Sequence, residues 1–451
     1  MNKRLFIDFN AVSAKAWKQK IQVDLKGADY NNTLIWNSPE DINVKPFYHA
    51  DDFNNKPFAQ IKSNTWSISQ TIFVFDVEKS NKKALKAIKD GLESIIFIIP
   101  NKEVSVERLL QNIDPSTIPL YFELQFLDPI YTKQLSCISG TTVLTDTIGN
   151  LAKSGNWFKN FQNDFELLHS IILTNNTLSI DLSLYQNAGA TMVQQLAYSL
   201  AHANEYLNSL EVTDGVIKNS VQFTFKVAVG TNYFFEIAKL RALRVLWTTV
   251  AAAYGVNENC KIIATPTKRN KTLYDYNTNL LRTTTECMSA ILGGANIICN
   301  LPYDAIYHKD NAFGERISRN QLLILKHESY FNAVDNAADG AYYIESLTHQ
   351  LSEKALMLFK NIENKGGFLK HLKDGLIQKK IKESALKEQT LFNSGDLSLL
   401  GTNIHPNVDD RMNHELELYP FLKMKARKTL IEPILEKRLA ETLEQERLKT
   451  E

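Results

Sequence analysis

The sequence predicts an α/β protein built as a (β/α)8 barrel of the TIM type, with an extended N-terminal arm before it and a helical segment after it. Three observations carry this. Short β-branched and aromatic runs alternate with helical stretches of ten or more residues, the pattern of βαβ units and a parallel sheet. Eight such runs fall between about residues 66 and 365, which suits a closed barrel better than an open doubly wound sheet. Hydrophobic residues are 44% and charged residues 22%, so the chain can bury a core and is not globally disordered.

Residues 1 to 65 form the arm. Pro39, Pro46 and Pro57 break periodicity there, and one short helix is expected near Ala14 to Ile21. Trp17, Phe47, Tyr48, Phe53 and Phe58 are too scattered to make a core of their own, so the arm is expected to lie against another surface, including that of a partner chain. The expected strands are Thr71–Val77, Ser94–Ile99, Pro119–Phe126, Leu178–Ser183, Val221–Val229, Cys260–Ala264, Asn296–Asn300 and Ala341–Glu345. The expected helices between them include Lys79–Leu92, Gln194–Leu210, Phe234–Tyr254, Thr284–Leu292 and Phe313–Tyr330. Bulky strand residues, as in TIFVFDV and SIIFIIP, are expected to fill the barrel interior. Residues 366 to 451 are expected to be helical. Leu369, Leu372, Leu376, Ile377 and Ile381 are spaced as one helical face, and Lys437 with Glu441 makes an i,i+4 pair on a solvated face beyond Phe421.

Charge and cysteine usage exclude several classes. Lys+Arg at 51 against Asp+Glu at 50 leaves a net charge of +1, without the basic excess of a nucleic-acid or anionic-membrane binder. No apolar run approaches the length of a membrane span, and the N-terminus lacks the apolar stretch of a secretory signal. The four cysteines, Cys137, Cys260, Cys287 and Cys299, form no CxxC pair, as expected for a cytoplasmic chain with reduced thiols and no zinc site.

Two segments have clear local mechanics. In Arg282-Thr283-Thr284-Thr285-Glu286, Thr283 and Glu286 have capping-box spacing and predict a helix start, and Gly293-Gly294 sits where that helix should stop. In the stretch from Phe313 to Ser329, Phe313, Ile317 and Ile324 line one predicted face, with Arg316 and Arg319 off it. Arginines at i and i+3 can hold a phosphate or carboxylate, and as readily pair with surface acids.

These two segments together resemble the methylmalonyl-CoA mutase family, which carries RTT-x-E ahead of LGG and then F-x-x-R-I-x-R-N. Further segments are similar and in order: Phe235-Glu-Ile-Ala-Lys-Leu-Arg241 with Leu246-Trp247, Ala188-Gly-Ala-Thr191 with Leu196-Ala-Tyr198, Asp339-Gly340 with Tyr342, Tyr343 and Glu345, Gly366-Gly367, Gly401-Thr-Asn403, Asp24-Leu-Lys-Gly27 and Val44-Lys-Pro46. The resemblance implies a barrel for an acyl-CoA, a separate C-terminal domain for adenosylcobalamin with a cobalt-ligating His in D-x-H-x-x-G, and a radical carbon-skeleton rearrangement.

The departures from that pattern are specific. None of the nine histidines has Asp two residues before it, and the cobalamin domain is expected to be missing. Leu184 and Ile263 stand where the family's catalytic chains carry His, and neither can donate a hydrogen bond or move a proton. Ser69 replaces the Arg of W-x-I-R-Q, and Ile61 aligns with a catalytic Tyr. The combination resembles the small, non-catalytic subunit of the heterodimeric bacterial members of the family. That resemblance implies a chain that binds no cofactor or metal, has no catalytic residue of its own, and stabilises a large subunit carrying adenosylcobalamin and interconverting succinyl-CoA and methylmalonyl-CoA. Arg282, Thr283, Glu286, Gly293, Gly294, Arg316 and Arg319 are then structural motif residues. Two other readings remain open: a catalytic barrel chain whose cobalamin domain lies on another polypeptide, and an unrelated barrel enzyme using Asp76, Lys226, Asn300 and Asp304 at its strand ends.

Overall fold

The computed structural model describes residues 8–53, 65–211, 218–423 and 427–451. Eight parallel strands form one sheet: β3 (Ser67–Phe73), β4 (Ser94–Ile99), β5 (Leu120–Leu124), β6 (Thr141–Leu144), β7 (Thr177–Asp181), β8 (Gln222–Val229), β9 (Cys260–Pro266) and β10 (Ile297–Cys299), in the order β6-β5-β4-β3-β10-β9-β8-β7. The two edge strands meet. Ser179 N–H donates to the Thr145 carbonyl at 3.0 Å, and the Thr177 hydroxyl and Asn175 amide both donate to the Val143 carbonyl. The barrel therefore closes at the β6–β7 seam with only part of a ladder.

Seven of the expected strands are present, with shifted ends. The eighth differs. Residues Ala341–Glu345 open the 23-residue helix α13 (Tyr342–Asn364), because Ile344, Leu347, Leu351, Ala355 and Ile362 recur at helical spacing and bury one face. The missing strand is β6, whose Thr-Thr-Val-Leu carries only two apolar residues. Gly140 fixes its entry at φ +83°, where a Cβ would sit 1.9 Å from the Pro115 carbonyl oxygen.

The arm contains helices α1 (Ala14–Asp24) and α2 (Tyr30–Leu34), then a two-residue antiparallel ladder of β1 (Trp36–Asn37) and β2 (Asn43–Val44). Its second half lies on its own barrel. Ile42 is fully buried, Trp36 meets Phe235 edge-on at 5.8 Å, and Tyr48 and Phe53 pack on Tyr343 and Tyr342. Pro57, Phe58 and Ile61 lie outside the described residues.

The helices after β3 to β6 are α3 (Val77–Lys89), α4 (Val106–Leu109), α5 (Pro129–Ser136), and α6 (Thr147–Ser154) with α7 (Phe161–Asn175). After β7 to β10 come α8 (Ser183–Asn187) with α9 (Met192–Glu211), α10 (Tyr233–Tyr254), α11 (Thr278–Leu292) and α12 (Ala312–His327). After α13 come α14 (Gly367–Lys373), α15 (Leu376–Ser394) and α16 (Glu441–Leu448).

Only some of the bulky strand residues fill the lumen as expected: Ile96 and Tyr121 do, while the strand phenylalanines named next do not. Phe97, Phe122, Phe223 and Phe225 belong to the main core under the helices. Phe97 stacks on Phe122, and Phe223 and Phe225 pack on Trp247 of α10. Side chains alternate along a strand, so burying these residues outward turns their neighbours inward.

Beyond α15 the expected helix is mostly absent. From Phe421 onward the described backbone is irregular up to α16. It is held by backbone bonds instead: Leu430 and Ile431 N–H to Gly155 O, Ile434 N–H to Ala152 O, Lys437 N–H to Asn187 O and Leu439 N–H to Arg269 O. Those acceptors follow β6, β7 and β9, so the strap crosses the C-terminal end of the barrel. The expected Lys437–Glu441 pair gives way to Glu441 accepting from Arg438 N–H and Leu422 N–H. The solvated-face expectation also fails at Arg438 and Glu444, a buried pair at 2.6 Å.

Candidate functional site

Active sites of this architecture lie at the C-terminal ends of the strands. The lumen beneath that end has one apolar layer, formed by Ile96, Tyr121, Leu144, Ile263, Ile297 and Cys299. Around it the inward positions are small or polar: Ser67, Ser69 and Thr71 on β3, Ser94 on β4, Ser179 on β7 and Thr224 on β8. The interior is thus plugged at one level, with Ile96 and Tyr121 among the bulky strand residues expected there and without the phenylalanines of the same strands.

Above the plug, Lys226 on β8 bridges Glu123 on β5 (2.7 Å) and Asp181 on β7 (3.1 Å). Burial opposes the lysine's charge, but Asp181 and Glu123 raise its pKa above the ordinary value. Burial likewise opposes the Asp181 carboxylate, which Lys226 and the Ser183 hydroxyl hold below its usual range. A lysine so paired stays charged and is no amine nucleophile. Behind β7, the Asp146 carboxylate accepts from Gly149 N–H, from the Tyr206 hydroxyl at 2.7 Å and from Asp181 N–H, and the His202 ring lies 2.9 Å from it. Burial pushes Asp146 up, and His202 with Tyr206 pulls it below the usual carboxylate range. His202 is fully buried and its other nitrogen faces the Tyr185 hydroxyl at 3.1 Å. This cluster ties the start of α6 to β7 and α9.

Leu184 sits on α8 at that corner, 4% exposed and within the main hydrophobic core. Ile263 belongs to the lumen plug. Neither position offers a polar atom to a thioester. The residues present do not fit the acid–base role that the resemblance attaches to those positions. No group of three or more His, Cys, Asp or Glu that could hold a metal occurs among the described residues.

The motif residues lie on α11, at the glycines that follow it, and on α12. The helix α11 starts at Thr278, not at Thr283, so the capping box is not formed. Thr283 donates back to the Leu280 carbonyl inside the helix. Glu286 instead forms a buried ion pair with Lys271 at 2.8 Å and accepts from Asn270 at 2.7 Å. Arg282 donates to Thr272 of the β9–α11 loop, to Asn279 in the first turn of α11 and to the Leu400 carbonyl. The helix stops at Gly293-Gly294 as expected, and Gly294 takes the left-handed conformation at φ +83°. On α12 the expected face is reversed. Phe313 and Ile324 are exposed and Ile317 is half-buried, while Ser318, Arg319, Leu322 and Leu325 are buried, and Arg319 pairs with Asp90 at 3.0 Å. Arg316 lies over the Phe313 ring.

The other strand-end candidates do not converge. Asp76 caps α3 through Lys79 N–H, Asn300 binds the Ser318 carbonyl and Gln321, and Asp304 accepts from Asn311. Only Lys226 faces the mouth, and it is neutralised. Sequence reasoning missed Glu123 and Asp181, whose inward direction becomes legible only once the aromatic residues beside them are known to face out.

Comparison with known proteins gives a consistent picture. Residues 132–448 match the family described as methylmalonyl-CoA mutase. The "Methylmalonyl-CoA mutase small subunit" of Porphyromonas gingivalis is 33% identical, over 92% of this chain and 73% of that protein. The "Methylmalonyl-CoA mutase small subunit" of Streptomyces virginiae is 28% identical over 79% of this chain and 63% of its own length. The "Methylmalonyl-CoA mutase large subunit" of Porphyromonas gingivalis is 32% identical over 51% of this chain, which spans a third of that protein (33%).

Proposed function

Because the chain belongs to the methylmalonyl-CoA mutase family, we propose that it acts as the non-catalytic small subunit of an adenosylcobalamin-dependent mutase. In this reading it pairs in the cytoplasm with a large subunit that carries the cofactor and interconverts succinyl-CoA and methylmalonyl-CoA. The observation that carries it is the pair Leu184 and Ile263. Two apolar side chains, one in the core and one in the lumen plug, occupy the positions where the resemblance requires proton-handling groups. Co-expression with a large subunit, followed by activity assay of each chain and of the pair, tests it. The pair should turn over, the large subunit should be less stable alone, and this chain alone should be silent. Turnover by this chain with only a cobalamin-binding domain would sink the reading.

One observation favours a second reading, a catalytic barrel chain whose cobalamin domain is on another polypeptide. The lumen outside the plug carries Ser67, Ser69, Ser94, Ser179 and Thr224, small residues that leave room along the axis. The same assay with a cobalamin domain in place of the large subunit separates the two.

A further inference from the structure

A concavity lies away from the lumen, where the β9–α11 loop, the turn at 401–408 and α16 meet. It encloses about 360 Å3. Pro406, Val408 and Leu443 give it apolar walls, and Tyr274, Thr402 and Arg447 supply its polar features.

Two of these groups have hydrogen-bonding capacity to spare. Thr402 is 5% exposed, and its hydroxyl has no partner among the described residues. A buried hydroxyl left unpaired costs free energy that a bound group can recover. Arg447 lays its guanidinium over the Tyr274 ring, 3.8 Å from the centroid, and spends Nη2 on the Asn407 and Asp410 carbonyls. Its Nη1 edge has no partner among the described residues. Charge then narrows the ligand. Glu451 lies 3.9 Å from Arg447 Nε and the Asp410 carboxylate accepts from Asp275 N–H nearby, so the cation is offset and an anion gains little. A cationic group brings no acceptor for the N–H donors of Arg447 Nη1. The apolar walls and the planar guanidinium suit a flat ring.

We propose that this cleft binds a neutral, planar aromatic or heteroaromatic ring bearing a carbonyl-type acceptor, with the acceptor on the Thr402 hydroxyl and Arg447 Nη1. The test titrates the full chain with nicotinamide, read by ligand-detected NMR, with nicotinate as the anionic isostere. Nicotinamide should bind saturably, nicotinate much more weakly, and Thr402→Val should weaken nicotinamide about tenfold. Val408→Trp fills the cleft from a rim position that is 72% exposed, so the fold should survive and binding should be lost. Thermal melting of both variants confirms folding. The proposal is overturned by non-saturable nicotinamide signals, by equal binding of nicotinate, or by binding that neither substitution changes.

Discussion

At the scale of single residues, Glu363 sets a pH dependence. Burial lifts its carboxyl from 4.5 to about 7; Asn204 donates to it and lowers the value, while Glu205 nearby raises it. A carboxyl whose folded pKa lies above its unfolded one binds its proton more tightly when folded. Its contribution is therefore complete below about pH 4.5 and is lost as pH rises through about 7. Glu363→Gln should flatten the stability profile across that window and raise the melting temperature at pH 8, as thermal melts from pH 5 to 8 would show; an unchanged profile would remove Glu363 as the source. The buried Lys271–Glu286 pair gives the opposite case. Glu286→Ala strands an ammonium that is itself 1% exposed, and should cost about 3–5 kcal/mol in denaturant unfolding. A loss under 1 kcal/mol would mean that Lys271 finds another partner or deprotonates. Both effects bear on how far residues could be read from sequence. Arg282 and Glu286 stood out by motif, but the Thr283–Glu286 spacing suggested a helix cap, whereas Arg282 and Glu286 sit inside α11 and bind the loop before it. Nothing local tells a glutamate that caps from one that reaches back to Lys271 across a loop.

At the scale of elements, the arm divides in two. From Trp36 to Phe53 it is tied to its own barrel, and Glu40 accepts from Met192 and Val193 N–H at the start of α9. From Ala14 to Val23 it is held by the rest of the arm instead: Ala14 N–H donates to the Asp51 carboxylate, Val23 is 72% exposed, and no residue of α1 is buried. Trp17 stacks on Phe47 at 4.5 Å yet remains open to solvent. If the proposed heterodimer forms, the exposed Trp17 and Val23 of this half are what a partner would cover. Ile42→Ala should therefore destabilise the isolated chain by about 2–5 kcal/mol. Trp17→Ala should leave its melting temperature within error but reduce co-purification with a large subunit. Equal co-purification of Trp17→Ala and wild type would assign that half another role. The elements that sequence predicted well are long helices such as α9 and α10. The errors share a physical cause: β6 is too short to show a pattern, and Tyr342-Tyr343-Ile344 has strand-like residues that burial along α13 overrides. The strap after Phe421 is held by backbone bonds to α6, α8 and the β9–α11 loop, which no local pattern encodes.

At the scale of the whole molecule, the question is whether this barrel could be returned to catalysis by restoring the two histidines. The barrel architecture was legible from alternation alone, while the state of its lumen was not, since that depended on which face of each strand the phenylalanines took. The structure makes both substitutions costly. At Leu184 a histidine would enter a core position without a polar partner, and at Ile263 it would displace part of the layer made with Ile96, Tyr121, Leu144, Ile297 and Cys299. A buried imidazole lacking hydrogen bonds loses about 1–3 kcal/mol on that account alone. Catalytic groups that act as a set also give little when restored singly. Lys226 remains bridged to Glu123 and Asp181 above the plug, so the new groups would face a closed layer below a neutralised one. The double variant Leu184→His, Ile263→His should accordingly unfold at lower denaturant than the parent and interconvert no methylmalonyl-CoA when given adenosylcobalamin without a large subunit. Equilibrium dialysis of the parent chain should retain no adenosylcobalamin above background, since no histidine has Asp two residues before it and the described residues hold no cluster of metal-binding groups. Turnover by the double variant, or one cobalamin retained per chain, would show that this barrel needs no large subunit and would favour the split-enzyme reading.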